Sequence, residues 1–374
     1  MYAILDVQTS LNIGVKGADR KSVHISLFII LFILVVHYYV SLKKRYFTIS
    51  IIEMHLWLIT IWICISNLIN SVDLWSAIKQ IGISVLWVAI YSFFKYYGKN
   101  YFETHNQISK GITIMFIFYI LATFYAIINI QKIYGRLAVA NLSYYVLVFL
   151  PWMIILYKGK KKNIIILIIT FVIFISLKRG AIVALIAMLI AYLFIEGKVR
   201  NRYMTTMVKT IGILILFFVV FIFVNNTTNN YLINRFSYES LAIGSGRNII
   251  YSSIIKSIGQ RNIIEMIFGL GSLSTLKYIG KAAHNDWLEF LFSFGIIGLF
   301  IYLSMFLSIF KRALCFVKSN YIYSSSFCLI VIYIVLISLY GMFYFAHSTL
   351  YIMALIGFLD GLFFTYSQKN VVVK

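Results

Sequence analysis

The chain has 374 residues and a net charge of +22; 62% of the residues are hydrophobic, only 12% are charged, and the mean hydropathy is +0.92. Soluble domains carry about 25% charged residues, so this composition excludes a soluble globule and predicts an all-α polytopic integral membrane protein. The aromatic content of 18% excludes disorder, three cysteines exclude a disulfide scaffold, and the scattered positive charge favours membrane lipids over nucleic acid as a partner.

Eleven segments approach the 20 or so apolar residues that a membrane-spanning helix needs. In chain order they are 23–42, 49–67, 75–94, 112–130, 138–157, 163–177, 180–195, 207–225, 286–310, 322–340 and 348–366. Between 163–177 and 180–195 stand only Lys178 and Arg179, and we favour two helices here over one long broken helix of about 50 Å. Residues 1–374 are therefore expected to form a single transmembrane domain.

Lysine and arginine residues predict the orientation of these helices. Basic loops alternate along the chain, near residues 43–45, 95–110, 158–162, 198–209 and 311–318. Because such loops stay in the cytoplasm, we place them and the C-terminus inside and the N-terminus outside. Basic residues before the first helix indicate either that 1–18 is partly inserted or that a first helix is missing, and no cleavable signal peptide is expected. Glu53 and Asp360 fall on the cytoplasmic side, where we expect packing or anchoring roles.

One loop, 226–285, is far longer than the others and lies on the outer side in this topology. Loops of about 60 residues are uncommon unless they are functional or disordered. Its stretch 247–258 places Ile250, Ile254 and Ile258 on one face, with polar residues opposite. This periodicity predicts an amphipathic helix lying on the bilayer or on the helix bundle.

Two arginines are positioned to bind an anion. Arg247 falls in the first turn of the amphipathic helix, where free backbone N–H groups and the helix dipole favour negative charge, and a guanidinium can grip phosphate with two hydrogen bonds. Arg179 lies between two apolar helices, where a charge usually faces a cavity. Contact with lipid headgroups is the alternative for both arginines, and for Lys178 it is the favoured interpretation.

His284 is the candidate general base, because it precedes the helix that follows the long loop. A helix N-terminus lowers a histidine pKa, and a neutral imidazole can accept a proton from a hydroxyl. Asn285 or Asp286 is expected to cap that helix, and Glu289 to orient the site or to accept a hydrogen bond. His347 is a second candidate at the same depth. A solvated interfacial histidine is the alternative interpretation of His284.

The usual metal and nucleotide motifs are missing from the sequence. It contains no HExxH and no P-loop, and the outer side has no Asp-x-Asp pair. We therefore expect a reaction that needs neither ATP, nor a metal, nor another cofactor.

Several short motifs surround the long loop: Ser176-Leu177-Lys178-Arg179-Gly180, Arg235-Phe236, Ser245-Gly246-Arg247, Gly269-Leu270-Gly271 and Ala283-His284-Asn285-Asp286-Trp287-Leu288-Glu289, with Gly295 and Gly298. Together they resemble the O-antigen polymerase and ligase family of bacterial envelope glycan enzymes. The motifs cover about residues 170–310. A proline usual before the Gly-x-Gly is replaced here by Glu265-Met266-Ile267-Phe268.

The resemblance implies a glycosyltransferase at the outer face of the bacterial cytoplasmic membrane that acts on glycans carried by undecaprenyl pyrophosphate. It implies catalytic roles for Arg179, Arg247 and His284, and substrate contacts for Arg235, Asn285, Glu289 and His347. Flippase and chain-length regulator proteins are the protein partners it suggests. A polymerase making O-antigen, capsule or exopolysaccharide is favoured; the alternatives are a ligase and a transporter or flippase for lipid-linked sugars, although mid-helix charge of the transporter kind is scarce.

Overall fold

A computed structural model describes residues 49–70, 72–134, 141–201, 203–237, 246–341, 343–344 and 348–372, together with scattered positions between 29 and 40. Throughout these residues the regular structure is helical, which confirms the all-α prediction. From residue 51 onward the helices are α1 (Ile51–Ile69), α2 (Leu74–Lys99), α3 (Tyr101–Tyr134), α4 (Ser143–Leu156), α5 (Gly159–Ile175), α6 (Arg179–Val199), α7 (Tyr203–Thr227), α8 (Tyr231–Phe236), α9 (Arg247–Gly259), α10 (Ile263–Phe268), α11 (Ser274–Ile279), α12 (Asp286–Lys318), α13 (Ser324–Tyr340) and α14 (Thr349–Val372).

The apolar segments predicted from 49–67 onward each coincide with a helix, whereas most of the first segment, 23–42, lies outside the described residues. Seven helices of the described part are long and apolar enough to cross a membrane, and α4 and α13 are shorter apolar helices. The protein is therefore a multi-pass membrane protein. The count of eleven spans stays a prediction. The prediction of two helices around Lys178 and Arg179 is confirmed, because α5 and α6 are separate.

Glycines bring α2 and α14 into backbone contact. A Cβ on Gly98, Gly357 or Gly361 would lie 2.1–2.2 Å from a backbone carbonyl oxygen of the facing helix. Membrane helices gain little from the hydrophobic effect against each other, so close packing through small residues is a main source of their association. This pair of helices fixes one side of the bundle.

Buried charges lie together at one end of that pair. Lys95 of α2 lies 3.7 Å from a carboxylate oxygen of Glu53 and 3.9 Å from one of Asp360. The second carboxylate oxygen of Asp360 accepts a 2.6 Å hydrogen bond from Arg312. A buried charge needs such partners, so the packing role expected for Glu53 and Asp360 agrees with these contacts.

The long segment between α7 and α12 folds against the bundle. The predicted amphipathic helix is present as α9, with Ile250 and Ile254 buried against Phe292 of α12. Further along, the Gly-Leu-Gly turn donates backbone hydrogen bonds from Leu270 and Gly271 to carbonyls at a break in α12. The break comes from Gly295, whose φ of +66° favours glycine. The loop is thus an ordered layer across one end of the bundle over its described part.

Candidate functional site

The turn between α5 and α6 positions two adjacent cations. Leu177 has a φ of +54°, which reverses the chain within residues 176–178. Lys178 donates a 2.7 Å hydrogen bond to the side-chain oxygen of Asn141, and its ammonium lies 5.6 Å from the ring centre of Tyr144. A Cβ on Gly180 would lie 2.2 Å from the Tyr144 hydroxyl, so the glycine lets α6 begin directly against α4.

Arg179 reaches the short helix α8. One of its terminal nitrogens donates a 2.5 Å hydrogen bond to the backbone carbonyl of Arg235. Asn225, near the end of α7, anchors α8 because its side chain binds Asn230 at 2.7 Å and the Ile233 backbone N–H at 3.0 Å. These contacts hold the Arg235 carbonyl at Arg179, and the charge of the Arg235 side chain is close enough to act on Arg179.

Arg247 and Asn285 meet at the C-terminal end of α13. Arg247 donates to the carbonyl of Tyr340 at 2.8 Å, and the Asn285 amide donates to the neighbouring carbonyl of Leu339 at 3.3 Å. The last carbonyls of a helix lack partners within that helix and carry partial negative charge, so they attract donors and cations. Asn285 also caps α12 by accepting from the Leu288 backbone N–H at 3.1 Å, so of the two predicted capping residues the structure uses Asn285.

His284 lies beside these groups, and part of its side chain is exposed to solvent. Its pKa is lowered from 6.5, first because surrounding protein displaces water from the ring and then because the charges of Arg247 and Lys178 repel an additional proton. The imidazole is therefore mainly neutral near pH 7. A neutral ring in this position can accept a proton from a hydroxyl group.

Four cations form one electrostatic group, which we call the cationic cluster: Lys178, Arg179, Arg235 and Arg247. The pKa of Lys178 is lowered to about 8, first by burial and then by the charges of Arg247, Arg235 and Arg179. Because like charges at short range oppose one another, an anion bound among them would relieve their repulsion. The cluster with His284 beside it is a candidate anion-binding site.

Five of the seven predicted site residues lie at or beside the cationic cluster. Arg179, Arg235 and Arg247 come together with His284, and Asn285 adjoins them as a helix cap. His347 lies outside the described residues. The roles assigned to all of these residues stay predictions.

Glu289 points away from the cationic cluster and into the loop. Its carboxylate accepts hydrogen bonds from the Thr275 hydroxyl at 2.6 Å, the Ser293 hydroxyl at 3.3 Å and the Ala283 backbone N–H at 3.1 Å. The last of these bonds fixes the residue immediately before His284. The contacts support the orienting role expected for Glu289 more directly than a substrate contact.

We expected Lys178 to contact lipid headgroups, and the sequence analysis did not place it in the cluster. The short turn could have predicted this position, because a lysine next to Arg179 in a turn of three residues has little freedom to reach a separate surface. Within the described residues, no group of three or more His, Cys, Asp or Glu side chains is arranged to hold a metal ion.

A family model described as O-Antigen ligase matches residues 164–303. This segment runs from α5 into α12 and contains all four members of the cationic cluster as well as His284. The match confirms the family resemblance that the motifs indicate. No curated protein matches the chain.

Proposed function

We propose, from the match of residues 164–303 to the O-Antigen ligase family model and from the site described above, that this protein is a polysaccharide polymerase. It joins oligosaccharide repeat units carried on undecaprenyl pyrophosphate, at the outer face of the bacterial cytoplasmic membrane. The product is an envelope polysaccharide such as O-antigen, capsule or exopolysaccharide. The observation that carries the proposal is the cationic cluster beside a neutral histidine within the matched segment.

The cationic cluster suits the leaving group of such a transfer. A lipid diphosphate departs with increasing negative charge, and positioned cations stabilise that charge as it develops. Arginine adds pairs of parallel hydrogen bonds to phosphate oxygens. Arg179 and Arg247 are held by backbone carbonyls at 2.5 and 2.8 Å, so their guanidinium groups need little reorganisation when the substrate binds.

His284 supplies the base. In the proposed step the acceptor hydroxyl gives its proton to His284 while its oxygen forms a bond to the anomeric carbon of the donor sugar. The bond between that carbon and the phosphate oxygen breaks, and the carrier diphosphate leaves with the electron pair, facing the cluster. Because the donor is already activated, the step balances without a nucleotide.

A ligase is the second candidate, because the matching family model is described as O-Antigen ligase. A ligase would use the same cluster and histidine, with a different acceptor replacing the next lipid-linked repeat unit. The two activities differ in what accumulates when the gene is lost.

The test is deletion of the gene followed by complementation and analysis of the surface glycan. Loss of a polymerase leaves products of a single repeat, whereas loss of a ligase leaves full-length chains on the carrier. Arg247→Ala and His284→Ala should both fail to restore the ladder of chain lengths. Lys256→Ala removes an exposed charge from the same helix as Arg247 and should restore the ladder. A normal ladder from both site variants would refute the assigned site.

A further inference from the structure

A cavity of about 730 Å³ opens at the end of the bundle away from the cationic cluster. Its wall includes Glu196 and Arg200, near the end of α6, whereas Arg179 begins that helix. Seventeen residues of helix at 1.5 Å each place Glu196 about 26 Å from Arg179 along the axis. Helices α4 and α13 also run from one site to the other, since Tyr144 and Tyr340 lie at the cluster end. The cavity is therefore separate from the proposed active site.

Cations dominate the polar part of the wall. Lys162 lies 3.6 Å from a carboxylate oxygen of Glu196, and Arg200 lies 3.2 Å from the same oxygen. Lys158 and Lys209 add two exposed ammonium groups to the lining. The lining thus contains four cations and one carboxylate, and two of the cations contact that carboxylate. The site keeps a positive charge and has room for an anionic group.

The remaining lining fits an amphiphile. The first turn of α5 borders the cavity at Gly159, and its N-cap residue Lys158 makes no side-chain capping bond, so the dipole end of this helix adds to the positive potential. Ile154, Ile155 and Ile322 supply an apolar wall beside these charges. Pockets of 300–1,000 Å³ that combine an apolar lining with a few polar groups are typical ligand sites.

We propose that this cavity binds the phosphate headgroup of an anionic phospholipid, with Lys158 and Lys209 contacting the phosphate and the isoleucine wall covering the start of the acyl chains. Basic pockets between membrane helices at the lysine-rich face are suited to such headgroups. The loops at this end of the bundle carry the positive charge that predicts the cytoplasmic side. The proposal does not depend on the glycan-transfer function.

Binding is measured on the purified full-length protein in a neutral detergent by native mass spectrometry, with phosphatidylglycerol titrated against phosphatidylcholine. The double variant Lys158→Gln/Lys209→Gln should bind phosphatidylglycerol roughly 30-fold more weakly, because each lysine near a phosphate strengthens binding about fivefold. Its matched control is Lys160→Gln/Lys161→Gln, which removes the same charge from exposed positions of the same helical turn that do not line the cavity.

A third variant moves affinity the other way. Glu196→Gln releases Lys162 and Arg200 from their carboxylate and should strengthen phosphatidylglycerol binding severalfold, a gain that misfolding cannot produce. Inorganic pyrophosphate is tested as a competitor. Equal losses in the two double variants, or no preference for phosphatidylglycerol over phosphatidylcholine, would overturn the proposal. Displacement of the lipid by pyrophosphate at similar concentrations would overturn the lipid assignment and identify a soluble anion as the ligand.

Discussion

Replacing Lys178 by arginine should remove the loss of activity at alkaline pH. The pKa of Lys178 is about 8 because of burial and the three neighbouring arginines. About nine tenths of the lysine is charged at pH 7, and only about one tenth at pH 9. If its charge helps to hold the diphosphate, kcat/KM of the wild-type protein falls up to about tenfold over that interval. An arginine stays charged throughout, so Lys178→Arg should lack this fall.

The assay follows release of the carrier diphosphate from a lipid-linked repeat unit by the purified protein, at substrate concentrations well below KM, so that the pH profile reports groups of the free enzyme. Lys281→Arg makes the same change at an exposed residue near His284 and should keep the alkaline fall. An acid fall should appear in all three proteins, because the lowered pKa of His284 means that it becomes protonated only below pH 6.5. An unchanged alkaline fall in Lys178→Arg would show that the charge of Lys178 does not hold the diphosphate.

Other changes test the arginine, the loop, the helix packing and the orientation. Arg179→Lys should reduce kcat/KM tenfold or more, because one ammonium cannot replace a two-bond guanidinium contact; wild-type activity would make Arg179 a lipid anchor. In Glu289→Gln an amide NH2 group replaces one carboxylate oxygen, so at least one of the three hydrogen-bond donors loses its acceptor. The free energy of unfolding should fall by about 1–3 kcal/mol in denaturant melts, and activity should also fall. Gly361→Ala should lower thermal stability, whereas Gly111→Ala, where a Cβ meets open space, should not. Ile264→Cys in a cysteine-free background should react with an impermeant reagent from outside intact cells, and labelling only after lysis would invert the orientation.

The helices could be predicted well because they depend on local properties. Apolar length places the spans, and the period of Ile250, Ile254 and Ile258 is enough to predict α9. The separation of α5 from α6 also follows from the chain, since one helix over both apolar segments would be about 50 Å long, well beyond the roughly 30 Å hydrocarbon core.

The site was less predictable because its contacts join distant parts of the chain. Arg247 depends on the carbonyl of Tyr340, 93 residues away, and Arg179 on that of Arg235, 56 residues away. Residue types and spacing do not show where α8 and α13 end relative to each other, and that placement decides which cations share a site. For the same reason the sequence indicated neither the cluster role of Lys178 nor the loop contacts of Glu289.

Whether the protein forms glycosidic bonds can be measured with the purified protein in liposomes that contain a carrier-linked repeat unit. We expect one carrier diphosphate to be released for each glycosidic bond formed, with a chelator present, no nucleotide and no ion gradient. His284→Ala should lower the rate at saturating substrate by about 100-fold or more, while binding of the lipid-linked substrate is retained. Substrate that crosses the bilayer without release of diphosphate would indicate a transporter, and a normal rate in His284→Ala would contradict the assignment of the base.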